Sequence, residues 1–148
     1  MTDQIFNVSK GHFAQRISVA GTKTGILLLN NTTLEGDDAL VDHNDVAALL
    51  AATNTETIFS SYARKIDITG EVLTIDDTNN RVDYDIPDQT WSPAGNGVNE
   101  TLTKLITFYN NGAGDVNQIP MSHHDFVVTT DGSDLTAQIA AAGIMRAA

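Results

Sequence analysis

Apolar residues in this chain come in short groups, most of them alternating with polar residues and closed within a few positions by Asn, Asp, Gly or Pro. Ile26-Leu-Leu-Leu29 is an exception. It is a continuous apolar run between Gly25 and Asn30-Asn31, the pattern of a short strand buried on both faces. Val46-Ala-Ala-Leu-Leu-Ala-Ala52 has a different period: Val46, Leu49 and Leu50 stand at i, i+3 and i+4, after N-cap candidates in Asp42-His43-Asn44-Asp45. This predicts a helix over 43–53 that packs those three side chains onto a sheet. The remaining pattern is β. Thr57 to Ile68 is rich in β-formers. Val72–Ile75 and Arg81–Ile86 flank the turn-forming run Asp76-Asp-Thr-Asn-Asn80, which predicts a hairpin. Its second strand sets Val82, Tyr84 and Ile86 on one face and Arg81, Asp83 and Asp85 on the other, and Pro87 ends it. Leu102–Tyr109 and Asp125–Thr130 read as further strands. Leu135–Ile144 reads as a return strand or a short helix, since Ala137 to Ala142 suits either. Ahead of all these, Met1–Gly11 reads as an edge strand or an extended arm. The expected fold is mainly β (α+β): a sandwich or small barrel of roughly seven to eight short strands with one short helix. An N-terminal arm with a first strand (1–23) precedes a single β-rich domain (24–148).

Charge divides the chain at the same place. The 148 residues carry 8 Lys and Arg against 19 Asp and Glu, a formal net charge of −11. Residues 1–23 hold Lys10, Arg16 and Lys23 against Asp3 alone, a net of +2, which leaves −13 on the remainder. Phosphate binding needs clustered Lys and Arg, so nucleic acid and anionic membrane are not expected as partners. The basic segment, with Phe6 and Phe13 as apolar anchors beside Lys10 and Arg16, is the expected attachment to an acidic partner. The chain has no cysteine, which removes disulfides, thiolate metal sites and thiol nucleophiles. No apolar run approaches a membrane span, and the first residues lack the basic and apolar regions of a secretory signal, so a protein made in the cytoplasm is expected.

The candidate chemistry is thin. His123-His124-Asp125 offers metal-ligand types, but neighbours on a strand point to opposite faces and cannot easily share one ion. Asp76–Asn80 departs from a calcium loop, with Arg81 where Gly is needed and Pro87 where the bidentate Glu belongs. Asp83 and Asp85 share a strand face, as a solvated pair commonly does. No G-x-S-x-G, P-loop or G-x-G-x-x-G occurs. The expectation is a protein that is not an enzyme, with no cofactor and no metal.

Three segments carry a resemblance. Leu73 to Trp91 (LTIDDTNNRVDYDIPDQTW), Ala47 to Glu56 with Tyr62–Lys65, and His124 to Gln138 (HDFVVTTDGSDLTAQ) resemble, in order, small structural proteins of tailed bacteriophages. The similarity covers most of the chain after about residue 36 and contains no catalytic signature. It implies a virion component, a capsid decoration or cement protein on the outer surface of the head. Its implied partners are the major capsid protein and copies of itself, a trimer favoured. The acidic body favours that outer position, because packaged DNA would repel it. The alternatives are a tail, neck or head-fibre subunit, or a carbohydrate-binding β-sandwich that uses Trp91 and Tyr84.

Overall fold

The computed structural model describes residues 4–6 and 23–147. Within them lie nine strands: β1 (Gln4–Ile5), β2 (Thr24–Asn30), β3 (Val72–Asp76), β4 (Arg81–Asp85), β5 (Gln89–Trp91), β6 (Thr101–Asn110), β7 (Gln118–Thr129), β8 (Leu135–Ala137) and β9 (Met145–Ala147). Two short helices, α1 (Asp37–Leu40) and α2 (Val46–Ala51), follow β2. All pairing is antiparallel, in a four-stranded sheet β1-β7-β6-β2, a three-stranded sheet β3-β4-β9 and a pair β5-β8. The fold is mainly β as the sequence predicts, and the sheets do not close into a barrel.

The central sheet is covered on both faces, and β2 explains how. All seven of its residues are buried. Ile26 and Leu28 enter one core with Leu105, Tyr109, Met121, Ile86, Trp91, Leu135 and Met145, which joins the central sheet to the two smaller ones. Leu27 and Leu29 enter a second core with Ile106, Phe108, Leu40, Val46 and Leu49, which seats both helices on the opposite face. Period-two alternation in a strand between two layers makes every position apolar, which is why the run reads as continuous. Gly25 is fixed by the same packing. A Cβ there would lie 2.3 Å from the ring of Phe108, its partner across the ladder.

Helix α2 takes Asp45 as its N-cap, whose Oδ1 accepts a hydrogen bond from the Ala48 amide at 2.7 Å. Val46 and Leu49 are fully buried and Leu50 packs on the same cluster, so the predicted face meets the sheet. Helix α1 has no counterpart in the sequence reading; one turn of Asp-Asp-Ala-Leu is too short to show a period.

Two β predictions are corrected. Thr57–Ile68 is no regular strand. It runs antiparallel along the outer edge of β2 and bonds to it at intervals, through Thr57 N to Leu28 O at 3.0 Å, Ile26 N to Lys65 O at 2.8 Å and Ile68 N to Thr24 O at 2.9 Å. Between these contacts Phe59–Tyr62 turns inward, with Ser61 at φ 71°, and drives Phe59 into the first core. In the other case β7 starts seven residues before the predicted strand. Pro120 sits within β7 where the β6–β7 register shifts at Thr107/Phe108, a bulge that a proline tolerates. In Leu135–Ile144 only β8 is regular, and the chain then crosses irregularly to β9.

Candidate interaction surface

The hairpin β3–β4 is where the fold leaves apolar surface uncovered. Its register pairs Leu73 with Tyr84 and Ile75 with Val82, and β4 in turn pairs Tyr84 with Met145. One face of this small sheet is therefore apolar. Its inner part, Tyr84 and Met145, packs on the first core, while the outer part overhangs it. Leu73 is 42% and Ile75 68% exposed, and on the other face Val72 is 53% exposed. The outer edge of β3 pairs with no strand among the described residues. Elsewhere the exposed aliphatic residues are scattered, as on ordinary surfaces: Val98, Val116 and Val127 stand one to a segment, and Ile58 and Ile66 lie near opposite ends of the 57–68 segment. Among the described residues only β3 gathers three of them on one strand with an open edge, a feature that isolated proteins usually cover or charge.

Charge surrounds this strand. Glu71, Asp76 and Asp77 flank it, and Asp83 and Asp85 lie opposite on β4; against these five acids stand Arg81 and Arg146, a local net of −3. Arg146 Nε lies 2.5 Å from Asp83 Oδ1, and Arg81 Nε is 3.1 Å from Asp76 and 3.2 Å from Asp83. The Asp83 carboxyl is held below its ordinary range chiefly by the Arg146 guanidinium, and Asp76 by bonds from Asn79. Of the aspartate pair noted in the sequence, Asp83 is thus ion-paired, while Asp85 accepts the Ile86 amide at 2.9 Å.

The expected attachment residues fall in two groups. Phe6 is fully buried in the second core, its amide bonded to Met121 O at 3.0 Å and its ring edge-on to His123 at 6.0 Å. Alternation in β1 points its side chain inward, so Phe6 anchors the segment to its own domain. Lys10, Phe13 and Arg16 lie outside the described residues.

The other polar clusters brace the fold. The Lys104 ammonium, fully buried beneath α1, pairs with Asp37 at 2.7 Å and Asp125 at 2.6 Å. Burial pulls it toward the neutral form, but the two carboxylates outweigh this and its pKa is raised. Arg64 forks onto Glu56 at 2.6 and 2.7 Å and reaches Asp115 at 2.6 Å, while Tyr62 donates to the same glutamate. Glu100 accepts from Asn30, from the Thr57 hydroxyl and from the Ile58 amide, tying the 57–60 segment to the ends of β2 and β6.

A groove of about 530 Å³ opens between β7 and the 138–146 segment, with Ile5, Leu105, Phe126 and Ile144 in its walls. Ser122 and His124 lie in it, with Oγ and Nε2 2.9 Å apart. A hydroxyl beside an imidazole is the minimal pair for nucleophilic chemistry. Here Ser122 is 2% exposed and its Oγ also lies 2.6 Å from Thr107 Oγ1, so the chain Thr107–Ser122–His124 cross-links β6 and β7. His123 points to the other face of the strand, as alternation requires. Among the described residues no group of three or more His, Asp or Glu is placed to hold a metal ion. No described helix is long and apolar enough to cross a membrane.

No protein family, characterised protein or solved structure matches this chain. Its surface is therefore interpreted from its own chemistry. Trp91 is 2% exposed, donates Nε1–H to Ala63 O at 2.8 Å and carries the Lys65 ammonium 5.0 Å from its ring centre. Tyr84 directs its hydroxyl to Glu71 and Thr24. Trp91 is thus closed to sugar stacking, and Tyr84 is half-buried with its hydroxyl engaged. The overhang on β3 was hidden in the sequence because Val72, Leu73 and Ile75 read as an ordinary half-buried strand.

Proposed function

We propose that this protein is a structural component of a tailed-phage particle: a decoration subunit that binds the outer surface of the head and stabilises it, without catalysis. The observation that carries this reading is the edge strand β3, which exposes apolar side chains on both faces of an otherwise well-buried fold. A surface of this kind favours permanent contact with another protein. The resemblance in Leu73–Trp91 to phage structural proteins supports the same reading, since it spans this hairpin. So does the charge: a body of net −13 is repelled by packaged DNA and suits the outside of the shell. The major capsid protein is the partner in this reading. Self-association as a trimer would let many weak contacts act together.

The residues of 1–23 keep a part in it. With Phe6 inside the fold, Lys10, Phe13 and Arg16 are the attachment residues that this reading retains. Deleting residues 1–11 would remove β1 and Phe6 and unsettle the domain itself, so charge reversal of Lys10 and Arg16 is the cleaner probe. The deciding experiment mixes purified protein with undecorated heads and counts bound copies by cryo-electron microscopy. Hundreds of copies on the outer lattice are expected. A single ring or a handful at one vertex would assign the protein to the neck or tail, and no binding to heads would sink the reading.

A further inference from the structure

We propose that the open edge of β3 takes an extended segment of a partner protein as an added strand, with apolar residues facing Leu73 and Ile75 and with Lys or Arg at its ends. The backbone supplies the first part of the case. Among the described residues the antiparallel sheet stops at β3, which leaves outward N–H and C=O groups along Val72–Asp76, and an added strand pairs with them whatever its sequence. Side-chain alternation supplies the second. Leu73 and Ile75 share the apolar face, continuous with Val82, Tyr84 and the first core, so apolar residues at every second position of the incoming strand extend an existing hydrophobic layer.

Charge supplies the third part and selects the occupant. A second copy of β3 pairing antiparallel about Thr74 would set Val72 against Asp76 and Glu71 against Asp77. A parallel pairing would gather the same acids at each end. Like charges directly opposite are destabilising, and the local net of −3 worsens either arrangement. A strand with basic ends meets Glu71 at one end and Asp76-Asp77 at the other. The inference rests on the decoration reading only in taking the shell protein as the source of that strand.

The test uses the full chain and a labelled synthetic peptide of alternating Val and Thr with two Lys at each end. A matched peptide carries Glu ends. Fluorescence anisotropy should detect the Lys-ended peptide, with affinity falling as salt rises and at least about tenfold weaker binding for the Glu-ended one. Ile75→Lys, with folding verified by circular dichroism, should lose binding by about tenfold or more, while Val127→Lys on the central sheet should not. Equal affinity for the two peptides, or undiminished binding by Ile75→Lys, overturns the proposal. So does a concentration-dependent dimer that Ile75→Lys abolishes. Sedimentation with undecorated heads separates the two ideas. Wild type and Ile75→Lys binding heads alike sinks this surface alone. Peptide binding by a protein that ignores heads keeps the surface and sinks the decoration reading.

Discussion

The β2–β6 pair at the centre of the molecule and the β3–β4 hairpin at its margin are built from similar residues to opposite ends. In β2 every side chain is buried, and β6 hides even a lysine between two carboxylates. In β3 four of five residues are exposed and the outer edge is unpaired among the described residues. The same aliphatic strand chemistry thus closes one sheet and leaves the other open. A fold needs the first for its own stability. The second is expected to contribute little to it, which is why we propose it for a partner.

Truncation should separate the two regions most sharply. Leu28→Ala removes a fully buried side chain from the first core and should cost about 2–5 kcal/mol in urea unfolding, whereas Leu73→Ala should cost less than about 1 kcal/mol. Comparable losses would mean that the hairpin belongs to the cooperative core and would break the contrast. Lys104→Ala comes next. It leaves Asp37 and Asp125 without their shared cation and opens a space beneath α1, so a loss of about 3 kcal/mol is expected. Lys104→Met, which refills the stem volume, should recover much of that by the same melts.

Acid should also act on the central region. Burial raises the Glu100 pKa, but hydrogen bonds from Thr57, Ile58 and Asn30 outweigh this and hold it below the ordinary glutamate value of 4.5. A carboxyl depressed in the folded state contributes stability that is fully present above 4.5 and is lost as pH falls through its folded value. Glu100→Gln should therefore cost about 2 kcal/mol at neutral pH and progressively less below pH 4.5. A penalty that stays constant down to strong acid would remove Glu100 from the acid response.

The same contrast explains what the sequence could convey. Ile26–Leu29 and Val46–Leu50 were legible because burial on two faces, or on one helical face, leaves an unambiguous period. The hairpin was legible as a hairpin, from Asp76–Asn80 and the alternation after it. Its exposure was not, because period two records which residues share a face and not whether anything covers that face. Thr57–Ile68 misled for a related reason. Its β-formers do pair with β2, but the inward turn that buries Phe59 depends on a core shared with Trp91 and Leu102, far along the chain. Phe6 looked like a surface anchor because two residues of strand carry no period, and the residues it meets, Met121 and His123, lie far along the chain.

The smallest effect is the most informative about the margin. Ile75→Thr keeps a β-branched residue in β3, so the strand's local preference is retained while most of its apolar surface is lost. Ile75 is 68% exposed, and little of its side chain is withdrawn from water by folding. Unfolding free energy should therefore change by no more than about 0.5 kcal/mol in urea. Two other readings should move even so. Fluorescence of an apolar dye should fall, because the overhanging face has lost its largest exposed residue, and resistance to aggregation should rise as the open edge becomes less adhesive. A melt destabilised by more than about 2 kcal/mol would show that Ile75 has a packing partner within the chain. The margin would then be a second core and not a surface awaiting another protein.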